Sequence, residues 1–195
     1  MNNQVIFLIA GEASGDVLGA SLMESLKARG YTNFSGVGGD HMRQAGLVSL
    51  FPMQDISVMG LVPVIKKLPK ILYRISQTIE AVVSAAPACL IIIDSPDFTH
   101  RVARRVRKIN PAIPIINYVS PTVWAWRSGR AQKMQAYIDC VLALLPFEPE
   151  AYRRLSGPKC VYVGHPLLEQ ELVQQNQLLE KTKNVFIIMP GSRVA

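Results

Sequence analysis

The chain has 195 residues, 49% of them apolar, enough for one large domain or for one domain and part of a second. Its 21 basic against 14 acidic residues leave a net charge of +7, which admits nucleic acid, an anionic membrane surface or phosphorylated ligands as partners. No nucleic-acid-binding motif accompanies that charge. The apolar runs are strand-sized rather than the roughly 20 residues of a membrane span, and the start at Met1 lacks a cationic leader, so a cytoplasmic protein is expected.

Apolar runs bounded by turn residues alternate with stretches of helical spacing. Strands are expected over residues 4–10, 34–38, 88–94, 113–119, 139–144 and 160–163, and helices near 16–29, 70–84, 99–108, 129–137 and 148–155. Continuous apolar strands, each followed by a helix, imply an α/β, Rossmann-like parallel sheet with helices on both faces. After Gly164-His165-Pro166 the pattern changes. Residues 167–181 read as a polar helical connector, 184–189 as a new buried strand, and Pro190-Gly191-Ser192-Arg193 as the loop after it. The expected organisation is therefore a first domain over 1–166, a connector over 167–183, and over 184–195 the opening strand and phosphate loop of a truncated second domain.

Several motifs carry chemistry. Gly11-Glu12-Ala13-Ser14-Gly15-Asp16 follows the first strand and opens the first helix. Glycines let the backbone approach a ligand closely, and free N–H groups at a helix start attract anions. The loop is neither G-x-G-x-x-G nor a Walker motif, so dinucleotide binding is disfavoured. A plain tight turn capped by Ser14 or Asp16 is the alternative. Next, Lys66, Lys67, Lys70 and Arg74 flank Leu68, Ile71, Leu72, Ile75, Ile79 and Val82, giving a helix with a greasy face and a basic face. It either docks on the sheet or meets an anionic membrane or acyl chains. Asp94 then ends a buried strand, where desolvation raises a carboxyl pKa and improves a base, although capping is an equal possibility. Asp97 reads as a helix cap. Arg101, Arg104, Arg105, Arg107 and Lys108 make the following helix basic, and they read as a solvated face.

Asn117 to Arg127 holds both tryptophans, Trp124 and Trp126, just beyond the carboxyl end of a strand. In open α/β sheets ligands bind there. A Trp ring offers an apolar face and one N–H, which suits a ligand with greasy and sugar-like parts. Cys89, Cys140 and Cys160 have no metal spacing and no even framework, and read as reduced core residues. No pair among His41, His100 and His165 has metal-ligand spacing, so no metal or other cofactor is expected.

Together, Gly11 to Asp16, Val58-Met59-Gly60, Asp94 to Phe98, Tyr118 to Arg127, Leu145-Pro146-Phe147-Glu148, Gly164-His165-Pro166 and Pro190 to Arg193 resemble the lipid-A-disaccharide synthase family of bacterial inverting glycosyltransferases. The block from Val119-Ser120-Pro121 to Trp124-Ala125-Trp126-Arg127 is the most specific piece. The resemblance implies the N-terminal half of a GT-B architecture, with two Rossmann-like domains flanking the active site. It implies transfer from UDP-2,3-diacylglucosamine to 2,3-diacylglucosamine 1-phosphate at the inner face of the cytoplasmic membrane, giving a β-1,6-linked disaccharide phosphate and UDP. It points to Asp94 as the base and to Gly11, Glu12, Ser14, Gly15, Asp16, Trp124, Trp126 and Arg127 as substrate contacts. Gly191, Ser192 and Arg193 would face the donor phosphates, since guanidinium pairs with phosphate bidentately. The 195 residues alone are expected to lack transferase activity. A nucleotide-sugar epimerase of the same architecture and a non-catalytic acyl-sugar or membrane-binding module are the competing readings.

Overall fold

A computed structural model describes residues 4–57, 61–125 and 129–165, with side chains omitted for 61–66. Seven strands form one sheet: β1 (Ile6–Ala10), β2 (Phe34–Val37), β3 (Val48–Ser49), β4 (Cys89–Ile93), β5 (Ile115–Tyr118), β6 (Cys140–Ala143) and β7 (Lys159–Tyr162). Their order is β3-β2-β1-β4-β5-β6-β7, and every pairing is parallel. The α/β, Rossmann-like sheet expected from the apolar runs is what forms.

Both faces of the sheet are covered because alternate residues along a strand point opposite ways. Phe7, Ile9, Leu90, Ile92, Ile115 and Val141 pack on one side against α3 (Leu61–Ala85), α4 (Pro96–Ile109), α5 (Gly129–Met134) and α6 (Glu148–Arg154). Ile6, Leu8, Ala10, Ile91 and Ile93 pack on the other against Met23 of α1 (Ala13–Lys27) and Met42 of α2 (Asp40–Gln44). The two-residue β3, the five-residue α2 and a 3₁₀ turn at Met53–Asp55 have no counterpart in the sequence reading. Cys89, Cys140 and Cys160 are unpaired and half-buried at strand positions. Burial pushes the Cys160 thiol up to about 12.

Helix α3 differs from expectation in two ways. It begins at Leu61 and runs through Pro69, where a start at Lys70 is the natural reading of a proline. Its basic face is also partly neutralised. Lys70 and Arg74 both pair with Asp55, and Arg74 stacks over the Phe51 ring at 4.6 Å. The Lys70 ammonium, followed by Arg74, holds the Asp55 carboxyl below its ordinary value. These two cations fasten α3 to the 3₁₀ turn, while Lys67 remains exposed and the Lys66 side chain lies outside the described residues. Among the described residues, no helix is long and apolar enough to cross a membrane.

Candidate active site

The strand order reverses between β1 and β4, so their following loops lead to helices on opposite faces and leave a crevice at the carboxyl edge. Asp94 stands at this crevice. One carboxylate oxygen accepts the Ser95 N–H at 2.8 Å, and the other accepts the Ser14 hydroxyl at 3.3 Å. The Ser14 contact bridges the two diverging loops. A second bridge is steric: a Cβ on Gly11 would sit 2.5 Å from Ser95 Cβ and Oγ, so only glycine permits this approach.

The backbone around Asp94 is held in an unusual form. Asp94 and Ser95 at the end of β4 have φ of 54° and 46°, and Val119 at the end of β5 has φ of 72°. A left-handed β-branched residue is a marked outlier, and each such residue costs on the order of 1–3 kcal/mol. Local bonds hold it there: the Asn117 side-chain amide donates to the Val119 carbonyl at 2.9 Å, and the Val119 N–H donates to Leu142 O at 3.0 Å. The Thr99 hydroxyl similarly reaches the Asp94 and Ser95 carbonyls at 2.9 and 3.0 Å. Ser95 takes the N-cap position of α4. Asp97, expected as the cap, lies in the first turn, where its charge favours the positive end of the helix.

Between the β4 and β5 loops lies a cleft of about 350 Å³, lined by Asp94, Pro96, His100, Asn117, Val119, Ser120, Pro121, Thr122, Val123 and Arg130. Its floor is polar yet ordered. His100 is buried, with Nδ1 2.9 Å from Tyr137 Oη. Burial first, then the charges of Arg130 and Arg104, lower its pKa to about 4 against an opposing hydrogen bond to the Asn117 side chain. It is therefore neutral at pH 7. Ser120 Oγ bonds to the buried Tyr152 hydroxyl at 3.1 Å. Burial pushes that phenol well above its ordinary value. Arg130 faces the cleft without an ion pair among the described residues. A carboxylate, a guanidinium and hydroxyls around one cavity can accept a proton from a sugar hydroxyl and hold an anion at the same time.

The sequence-derived candidates divide. Gly11, Glu12, Ser14, Gly15 and Asp94 come together at the β1–β4 crevice. Asp16 does not face it. It is buried, and its carboxylate accepts N–H groups of Gly39, His41 and Met42 at 2.8–3.1 Å. It caps α2, a helix 23 residues on, rather than its own. Trp124 is 42% exposed and meets Phe147 edge-to-face at 5.0 Å, forming an aromatic pair beside the cleft. Trp126, Arg127, Gly191, Ser192 and Arg193 lie outside the described residues, as do the Val58-Met59-Gly60 piece and the expected connector and second domain. Among the described residues no cluster of His, Cys, Asp and Glu could hold a metal.

A family model described as lipid-A-disaccharide synthetase matches residues 6–195. The chain belongs to the lipid-A-disaccharide synthase family. Curated lipid-A-disaccharide synthases of Nitrobacter hamburgensis and Rhodopseudomonas palustris are both 58% identical to it over 195 residues, covering 96% of this chain. That of Rhodospirillum centenum is 44% identical over 202 residues, covering 99%. The chain spans about half the length of these lipid-A-disaccharide synthases. A solved sucrose-phosphate synthase of Thermosynechococcus elongatus is similar in structure, with a TM-score of 0.53 at 16% identity, over 90% of this chain and 97% of that one. At that identity the likeness speaks for the fold alone.

Family membership decides against the epimerase reading. The structure also brings to the cleft, or to Trp124, residues that sequence reasoning did not assign to a site: His100, Asn117, Ser120, Thr122, Arg130 and Phe147. One signal was present for Asn117, a lone amide inside an otherwise apolar strand. His100 gave none, because its partner Tyr137 is 37 residues away.

Proposed function

We propose that these residues form the acceptor side of an inverting glycosyltransferase of GT-B architecture. It joins UDP-2,3-diacylglucosamine to 2,3-diacylglucosamine 1-phosphate and yields lipid A disaccharide 1-phosphate and UDP. The acceptor hydroxyl attacks the anomeric carbon, its proton passes to Asp94, and the bond to UDP breaks with inversion. The observation that carries this reading is the placement of Asp94: a half-buried carboxylate at the topological switch point, with one wall of its cleft formed by Arg130. Each Asp94 oxygen accepts one bond and keeps lone-pair capacity for a substrate proton.

Other roles follow from position. The start of α1, with Gly11, Glu12, Ser14 and Gly15, offers N–H groups to an anionic or hydroxyl-rich ligand. The Trp124–Phe147 pair gives an apolar wall for a sugar face or the root of an acyl chain. Trp126 and Arg127 are taken as further substrate contacts. Gly191, Ser192 and Arg193 take the donor phosphates in a second domain opening at 184–195, after a first domain over 1–166 and a connector over 167–183. Both substrates are acylated, so the enzyme works in the cytoplasm at the inner membrane surface.

The test is Asp94→Asn in the two-domain protein carrying these residues. Loss of a general base should lower turnover roughly 10²–10⁴-fold with the fold intact. Turnover within a few-fold of wild type removes Asp94 from the role.

A further inference from the structure

A second cavity of about 560 Å³ lies away from the Asp94 cleft, between α3, α4 and the end of α5. Its walls differ sharply in character. On one side stand Arg101, Arg104, Arg105 and Lys108 of α4, joined by Lys133 from α5. The four α4 cations are spaced i, i+3, i+4 and i+7, so they form one stripe on the helix. All are exposed, and none makes an ion pair among the described residues. Packing does not require this. The buried face of α4 is carried by Phe98, Val102, Ala103 and Val106, and of the α4 cations that line the groove only Arg107 has an ion-pair partner among the described residues, Asp139. Clustering like charges with no counter-charge is unfavourable for the free protein, which points to an anion supplied from outside.

The other wall is aliphatic. Leu72 is 47% exposed there, one turn after exposed Leu68 and next to Tyr73 at 62%. Large apolar side chains beside an unpaired cation stripe match the boundary between phosphate and acyl layers of a bilayer. They do not match a groove for single-stranded nucleic acid, which would offer aromatic faces for stacking. The one aromatic lining residue, Tyr137, is buried and engaged by His100 and by Arg104 over its ring at 5.0 Å.

We propose that this groove is a binding site for the phosphate of an anionic phospholipid, with the α4 stripe on the headgroup and the exposed leucines of α3 in the interface. It rests on the reading that the acylated substrates are met at a membrane, and it assigns the contact to α4 rather than to the lysines of α3. The site also touches the Asp94 cleft through a short path, since Tyr137 lines the groove and bonds His100, which lines the cleft.

The experiment is co-sedimentation of the 195-residue chain with vesicles of equimolar phosphatidylglycerol and phosphatidylcholine, and with phosphatidylcholine alone. Wild type should bind the anionic vesicles, less at high salt, and bind the neutral ones weakly. Arg101→Gln/Arg105→Gln/Lys108→Gln, with an unchanged melting temperature, should lower partitioning about a hundredfold, given the usual contribution per cation. The charge-keeping Arg101→Lys/Arg105→Lys variant should retain most binding. Glycerol phosphate in excess should compete poorly, because it lacks the apolar part. Undiminished binding by the triple glutamine variant overturns the proposal, and a loss confined to Lys67→Glu moves the contact to α3. No binding by wild type overturns the membrane reading as well. Tight binding of polyuridylate, lost in the glutamine variant, makes the groove a nucleic-acid site instead. Effective competition by glycerol phosphate makes it a site for small phosphates.

Discussion

Acidification should loosen this fold through one buried side chain. His100 is held neutral, with its pKa lowered from 6.5 to about 4 by burial and by the charges of Arg130 and Arg104. The unfolded chain takes up a proton near pH 6.5, whereas the folded chain resists until about pH 4. The neutral-His contribution is thus fully present above pH 6.5 and is lost as pH falls through that window. At 1.36 kcal/mol per unit, the full loss is about 3 kcal/mol, and roughly 2 kcal/mol should be gone by pH 5. The window is well placed, because the lowered carboxyls Asp55 and Glu150 begin to matter only at still lower pH. Urea titrations at pH 7, 6 and 5 would follow the unfolding free energy in the wild type and in His100→Gln. The variant should be less stable at pH 7 and should show a flatter dependence between pH 6.5 and 5. Parallel pH profiles for the two proteins would refute the assignment of this proton to His100.

Two further perturbations test the scaffold around the cleft. Asp16→Ala should destabilise by about 3 kcal/mol, since it strands three N–H groups at the start of α2, with Asp16→Asn intermediate; urea midpoints at neutral pH would show this ranking. Val119→Gly should cost no stability despite the lost side chain, because relief of a left-handed β-branched residue returns about 1 kcal/mol; a clear drop in melting temperature would show that the φ of 72° is not strained.

What could be read from the sequence was what depends on neighbours in the chain. The runs ending at Ala10, Ile93 and Tyr118 are apolar and punctuated, so β1, β4 and β5 and the loops after them are legible, and with them Asp94. What could not be read depends on distant partners. Asp16 sits where a first-turn cap belongs, yet its bonds go to Gly39, His41 and Met42. Lys70 and Arg74 look like a free basic face until Asp55 is seen beneath them. Proline's lost N–H argues locally against a helix running through Pro69, whereas the residues that dock α3, Ile71, Ile75, Ile79 and Val82, depend on a core supplied by distant strands. The α4 stripe shows the reverse case. Its spacing was plain in the sequence, but the aliphatic wall that gives it meaning comes from another helix.

The register of the sheet has a consequence for how such a chain can change over time. Ala10, Ile93 and Tyr118 are direct neighbours across three strands, so the loops bearing Gly11, Asp94 and Val119 leave the sheet at one level. Adding or removing one residue in any of these strands would shift its loop by about 3.3 Å and turn every side chain to the opposite face. The central strands are therefore locked in length, and variation there must proceed by substitution alone. Tolerance for insertions and deletions belongs to the margins: the two-residue β3 at one edge and β7, with its exposed Val161 and Tyr162, at the other. A family built on this sheet can lengthen or trim its flanks freely while the line of loops that carries the chemistry stays at constant pitch.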